Sequence, residues 1–150
     1  MEMVSEQRIA ASREQVWAAL NDTEILKSSM PGCESFEAMG DNMFEAKITA
    51  KVGPVKAKFK FSVELTDIRP AHGYMIMGTG QGGVAGFATG SAKVELSEDG
   101  NETILAYNVK ANVGGKLAQL GARLIDGAAK KMADEFFGNF NELLSGGGSP

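Results

Sequence analysis

Residues able to do chemistry are few and scattered in this chain. There is one histidine, His72, and one cysteine, Cys33. An internal disulfide is therefore impossible, and a zinc site of Cys and His ligands cannot be built within one chain. His72 lies in the turn Arg69-Pro-Ala-His-Gly73 with no carboxylate or nucleophile at a spacing that would orient it as a base. Cys33 follows Pro31-Gly32 at the start of an expected strand, where it reads as a partly buried thiol or as a residue at a cavity mouth. No group of Asp and Glu has acid–base or metal-ligand spacing. The chemistry expected is binding, with no catalytic residue, no metal and no cofactor.

Two glycine motifs invite nucleotide readings. Gly78-Thr-Gly-Gln-Gly-Gly83 satisfies G-x-G-x-x-G. A dinucleotide site needs a helix after that motif, and here Val84-Ala-Gly-Phe-Ala-Thr-Gly90 reads as turn and strand. Gly115-Lys116 fails the P-loop pattern, because position 110 is Lys and Leu117 replaces Ser or Thr. Glycines inside strands instead permit bends and close approach of a second body. They also leave room for a guest.

A third feature is electrostatic. Lys47, Lys51, Lys56, Lys58 and Lys60 fall on the polar face of two strands joined at Gly53-Pro54. On paired strands they form one patch. Such a patch suits an acidic partner or anionic lipid, at roughly 1 kcal/mol per cation near a surface. It also suits an ordinary solvated face whose edge lysines oppose aggregation. Glu45 and Glu64 share the face and weaken it.

The elements that position these residues follow from periodicity. The chain of 150 residues fits one domain. A net charge of −4 argues against a dedicated nucleic-acid binder. No stretch approaches the ~20 apolar residues of a membrane span, and residues 1–10 lack the pattern of a signal peptide, so a cytoplasmic protein is expected. Residues 1–10 read as a strand. Ser12 and Gln15 have capping-box spacing before a helix bearing Val16, Trp17 and Leu20. A second short helix is expected over 23–28, ended by Met30-Pro-Gly32. From there to Val113 the apolar period is two, giving about six more strands.

One long helix is expected from Lys116 to Leu144, its apolar stripe running from Leu117 through Leu124, Ile125, Met132 and Phe136 to Leu143. Gly121 falls on that stripe. An interior glycine costs about 1 kcal/mol relative to alanine, which implies close approach of another body there. Residues 145–150, Ser-Gly-Gly-Gly-Ser-Pro, read as a flexible tail. The class is α+β: a curved antiparallel sheet of about seven strands covered by a long C-terminal helix, with two short helices after the first strand.

This order, with Arg13-Glu-Gln-Val-Trp17, Leu20-Asn-Asp22 and Met30-Pro-Gly-Cys33, resembles the START-like (SRPBCC, helix-grip) superfamily. Pro31-Gly-Cys-Glu34, the stretch Gly78–Gly90 and Gly114-Gly-Lys-Leu-Ala-Gln-Leu-Gly121 narrow the resemblance to the carbon monoxide dehydrogenase G-subunit family. It covers residues 1–144. The resemblance implies a cavity between sheet and helix that holds a hydrophobic small molecule, quinone-like or lipid-like. It also implies a molybdenum hydroxylase of the carbon monoxide dehydrogenase type as partner, and peripheral contact with the cell membrane. Longer members carry a C-terminal extension suited to membrane contact, where this chain has its Gly/Ser segment.

On that geometry the inward, ligand-facing candidates are Phe44, Ile48, Phe59, Phe61, Met75, Met77, Tyr107, Leu117, Leu120, Gly121, Leu124 and Ile125, with Trp17, Met30 and Phe87 at the mouth. Tyr107 is the polar handle. Eight methionines suit a surface that adapts to a guest, although methionine also fills gaps in ordinary cores. Two alternatives stand beside the carrier reading: a hydrolase or cyclase of the same fold, and a structural tether recruited through the lysine face.

Overall fold

A computed structural model describes residues 1–145. The expected tail beyond Ser145 lies outside the described residues. Seven strands form one antiparallel sheet: β1 (Glu2–Ile9), β2 (Cys33–Gly40), β3 (Met43–Val52), β4 (Val55–Arg69), β5 (Gly73–Gln81), β6 (Phe87–Asp99) and β7 (Glu102–Gly114). Their spatial order is β1-β7-β6-β5-β4-β3-β2. Strands β2 to β7 are a simple meander, and β1 joins the far edge beside β7. Helices α1 (Arg13–Leu20) and α2 (Thr23–Ser29) carry the chain from one edge strand to the other.

Local chemistry explains both short helices. Ser12 Oγ accepts from the Gln15 N–H at 3.2 Å while Gln15 Oε1 accepts from the Ser12 N–H at 3.0 Å, so the capping box closes. Asp22 caps α2 through the N–H groups of Glu24 and Ile25. At the β2 entry, Gly32 has φ +74°, and a Cβ there would lie 2.2 Å from the Thr49 carbonyl oxygen. The Thr49 N–H donates to the Gly32 carbonyl at 2.9 Å. The Pro-Gly-Cys motif thus docks the start of β2 directly on β3.

The C-terminal helix departs from expectation. It is two helices, α3 (Lys116–Gln119) and α4 (Ala122–Ser145), broken at Leu120-Gly121. Gly121 has φ +90°, and nothing lies within 4 Å of where its Cβ would stand. The glycine is there to turn the chain, and no body presses on it. The 24 residues of α4 still span about 36 Å. Its last turn includes Ser145, whose Oγ donates to the Asn141 carbonyl at 2.7 Å.

The apolar faces of sheet and helix meet in two clusters. The larger gathers Ile9, Val16, Leu65, Val94, Leu96, Leu105 and Phe140 near the C-terminal end of α4. The smaller joins Phe59, Ala85 and Leu117, flanked by Val52, Val55, Ala57, Phe61, Val113 and Leu120, beneath α3. A single 3-10 turn, Gly83–Ala85, links β5 to β6 and closes this second cluster.

Candidate functional site

The register decides which side chains face α4. Phe44 pairs with Val63, Ala46 with Phe61 and Ile48 with Phe59, and opposed residues in antiparallel strands share a face. Continuing across β5, β6 and β7, the inward positions include Tyr74, Ile76, Gly78 and Gly80, then Val94, Ala92, Gly90 and Ala88, then Tyr107, Val109 and Ala111. Phe44, Ile48, Phe59, Phe61 and Tyr107 therefore stand on the helix side. Their setting differs. Ile48 and Phe59 are buried, whereas Phe44 and Phe61 are half-buried. Tyr107 is buried and stacks on Phe137 with ring centroids 5.3 Å apart.

Three expected residues belong to the opposite face. Met77 pairs with Glu64 and Ser91, Met75 with Thr66 and Lys93, and Phe87 with Gln81 and Gly114. All three point away from α4. The reason lies in β5, whose inward positions after Ile76 are glycines. Met75 and Met77 extend the apolar run of Tyr74 and Ile76, but on the other side of the strand. The Phe87 ring lies over Gly114, at 2.3 Å from where a Cβ would be, and is 48% exposed.

The remaining candidates fall into two groups. Trp17 on α1 is half-buried and sits 5.4 Å from the Tyr74 ring, against the larger cluster. Met30, the C-cap of α2, is half-buried. Leu117 and Leu120 belong to the smaller cluster. Leu124 packs on Gly53, its Cδ1 3.3 Å from that glycine's Cβ position, and is 44% exposed. Ile125 is half-buried and Gly121 is exposed. Sequence reasoning missed the inward small residues Gly78, Gly90, Ala92 and Ala111 as a group. The glycine count was the available signal.

Between the clusters the two apolar surfaces do not close on each other. Ile76, Gly78, Gly90, Ala92, Val109 and Ala111 face α4 from the centre of the sheet, yet none is fully buried. On the helix, Ile125, Ala128, Ala129 and Met132 are likewise not fully buried, and Phe140 is the sole fully buried residue of α4. Well-packed helix-on-sheet layers bury such residues completely. Two glycines are already covered by aromatic rings: Phe61 lies over Gly80 and Phe59 over Gly82, each within 2.4 Å of the position a Cβ would take. Gly78 is not. Its Cβ would meet only the Ser62 carbonyl oxygen and Val63 Cγ2, at ordinary contact distance of 3.7 Å. The result is an apolar cleft between the first half of α4 and the middle strands.

Titration adds little reactivity. Burial raises the Cys33 thiol pKa, and its Sγ donates to the Ser35 carbonyl at 3.2 Å, so it is a poor nucleophile. Burial also holds the Tyr74 phenol well above the usual tyrosine range. His72 is exposed to the solvent side of its turn, with Nδ1 3.4 Å from an Arg13 guanidinium nitrogen.

The other face carries the lysines. Lys51 stands opposite Lys56 and Lys47 opposite Lys60, like charges that disfavour the pairing on their own. Lys58 meets Glu34 at 3.3 Å and Lys60 meets Glu45 at 3.5 Å. An open groove of about 880 Å³ crosses the strands, with Met39, Met43, Ser62, Met77, Thr79 and Thr89 among its lining. Its lining also includes Phe44, Val63, Gly78, Gly90 and Ala111, and no residue of α4.

The family model for CoxG, the G subunit of carbon monoxide dehydrogenase, matches residues 6–145. The chain belongs to that family. A conserved protein from Geobacillus kaustophilus superposes with TM-score 0.91 at 30% identity, over 97% of this chain and 95% of that one. A START superfamily protein from Mycobacterium smegmatis gives TM-score 0.73 at 11% identity, over 95% and 96%. The Zhui aromatase/cyclase from a Streptomyces species gives 0.64 at 12%, over 100% and 99%. The fold is the START-like helix-grip. No curated protein matches the sequence. Among the described residues no helix is long and apolar enough to cross a membrane.

Proposed function

We propose that this member of the CoxG family is a non-catalytic carrier. It holds a hydrophobic molecule, quinone-like or lipid-like, in the cleft between the first half of α4 and the centre of the sheet. One observation carries the reading: apolar side chains of both layers are left half-covered there, while the same layers close fully around Phe140. Filling the cleft with a flat or flexible apolar guest would remove that surface from water, at about 25 cal/mol per Å². Phe44, Phe61, Leu120, Leu124 and Ile125 are the proposed walls, and the small residues of β5, β6 and β7 the floor.

The family membership supports an accessory role beside a molybdenum hydroxylase of the carbon monoxide dehydrogenase type, at the inner face of the cell membrane. The lysine face of β3 and β4 is the proposed docking side for the enzyme or the membrane. An enzymatic role, hydrolase or cyclase, would need inward polar groups in pairs. Among the described residues the buried Tyr74 and Tyr107 make no side-chain hydrogen bond to each other or to a third group.

Native mass spectrometry of the freshly purified protein, with solvent extraction and an ultraviolet spectrum of the extract, tests the reading. A bound mass with a quinone chromophore, or a lipid mass, is expected. A ligand-free protein that also takes up neither added quinone nor lipid would overturn it and leave the structural tether.

A further inference from the structure

Met77 points away from α4, and the register carries its row across six strands. Met43 pairs with Glu64, Glu64 with Met77, Met77 with Ser91, Ser91 with Lys110 and Lys110 with Glu2. A second row stands two residues away on β3 to β7: Glu45, Ser62, Thr79, Thr89 and Asn112. Opposed residues share a face. Both rows line the open groove of about 880 Å³ in full, together with the residues between them on each strand, so the groove runs between the rows.

Its dimensions select an occupant. Rows two residues apart are separated by about 6.8 Å, and six strands at about 4.8 Å make the groove roughly 24 Å long. A helix with its side chains is about 10–12 Å across and does not enter. An extended segment does, and about seven of its residues span the length.

The side chains set the chemistry of that segment. Glu64 is exposed and forms no ion pair among the described residues. It stands between Met43 and Met77, each 47% exposed, and Met39 on edge strand β2 lines the same groove at 55%. Methionine adapts to apolar side chains of many shapes. A carboxylate between methionines suits a lysine or arginine, whose stem lies on apolar surface while its head meets the charge. Lys60 is already engaged by Glu45 at 3.5 Å, and Lys110 stands opposite Glu2 in the register. Glu64 is thus the free charge beside the methionines. In the second row Ser62, Thr79, Thr89 and Asn112 are exposed and make no side-chain hydrogen bond among the described residues. Their hydroxyl and amide groups can pair with the backbone N–H and C=O groups that an extended segment brings.

We propose that this groove binds an extended segment of a partner protein carrying a lysine or arginine between apolar residues. The cation meets Glu64, and the apolar residues pack on Met39, Met43 and Met77. Alternate residues of an extended chain point the same way, so the apolar residues fall two positions before and after the cation. The assignment stands whether or not the carrier reading holds.

Fluorescence anisotropy of the full chain with a labelled peptide, Ser-Leu-Thr-Lys-Thr-Leu-Ser, is the test, against the same peptide with glutamate in place of lysine. The lysine peptide should bind at least about tenfold more tightly than the glutamate one, and added salt should weaken it. Glu64→Gln should erase most of that difference. Met43→Ser with Met77→Ser should weaken the lysine peptide at least about tenfold. These side chains are exposed, so the melting temperature and the extracted ligand of the variants should match the parent. No binding of the lysine peptide, equal affinity for the two peptides, or parent-level binding by either variant overturns the proposal. Sedimentation velocity covers the other occupant: a parent that self-associates, becomes monomeric in the methionine double variant and takes up no peptide gives the face to a second copy, and overturns the proposal as well.

Discussion

The two halves of α4 pack differently on the same sheet. The second half is pinned. Asn139 Nδ2 donates to the Ser29 carbonyl at 3.0 Å, Asn141 Oδ1 accepts from the Ala10 N–H at 2.9 Å, and Phe140 between them has no exposed surface. The first half has no such anchor among the described residues. Its one side-chain ion pair, Lys130 to Asp134, is internal to the helix at 2.7 Å, and its apolar stripe is half-covered. Opposite the pinned half the sheet offers Ile9, Leu105 and Tyr107, and opposite the loose half it offers glycine and alanine. Large residues on both layers make a core. Large residues facing small ones make a cleft. Stability is thereby assigned to one end of the helix, and the proposed binding would fall at the other.

The comparison breaks most sharply at Phe140. Phe140→Ala should cost about 3–5 kcal/mol, read as a fall in melting temperature, because the pinned end cannot collapse around the void. A loss comparable to that of a surface residue would mean that the two halves are not distinct. Next, Thr103→Val removes the buried hydroxyl that donates to the Ala11 carbonyl at 2.8 Å. It should cost about 1–3 kcal/mol in chemical denaturation, since the carbonyl is left unpaired.

At the loose end the expected signature reverses. Gly78→Leu places a side chain into the cleft at a position where a Cβ meets only ordinary contacts. Its stability should stay within about 1 kcal/mol of the parent, while retention of the extracted ligand is lost. Full retention in the folded variant would remove the cleft from consideration. Leu124→Ser, at a residue already 44% exposed, should change stability by less than about 1 kcal/mol and weaken retention only partly.

The smallest effect concerns alkaline pH. Tyr74 is buried and its folded pKa is raised, so the native state keeps the phenolic proton that the unfolded chain releases. Its contribution is fully present below the ordinary tyrosine pKa of about 10 and declines as pH rises above it. Tyr74→Phe should flatten the stability profile above that pH. An unchanged slope in pH-jump unfolding would place the alkaline sensitivity elsewhere.

One-dimensional information runs out at particular residues. Alternation in β3 and β4 assigns Phe44, Ile48, Phe59 and Phe61 to one face and the five lysines to the other, because each strand carries apolar and polar residues in strict turn. In β5 the same rule misassigns Met75 and Met77, because Tyr74-Met-Ile-Met77 is apolar on both faces and the inward positions beyond Ile76 are glycines. Gly121 has the same ambiguity. A glycine on an apolar helical stripe can mark close packing or a break, and only the backbone angle of +90° separates the two. A Gly121→Leu replacement would therefore strain the α3–α4 turn and says nothing about the cleft.

By itself the sequence determined the element order, the capping of α1, the antiparallel meander and the amphipathic face of α4. These depend on neighbours in the chain, through periodicity and local hydrogen bonds. The tertiary structure alone decided that the last helix breaks and that glycine and alanine of three different strands converge on the inward floor. Convergence depends on which residues of distant strands share a row. That is set by sheet register and curvature, which no local pattern encodes.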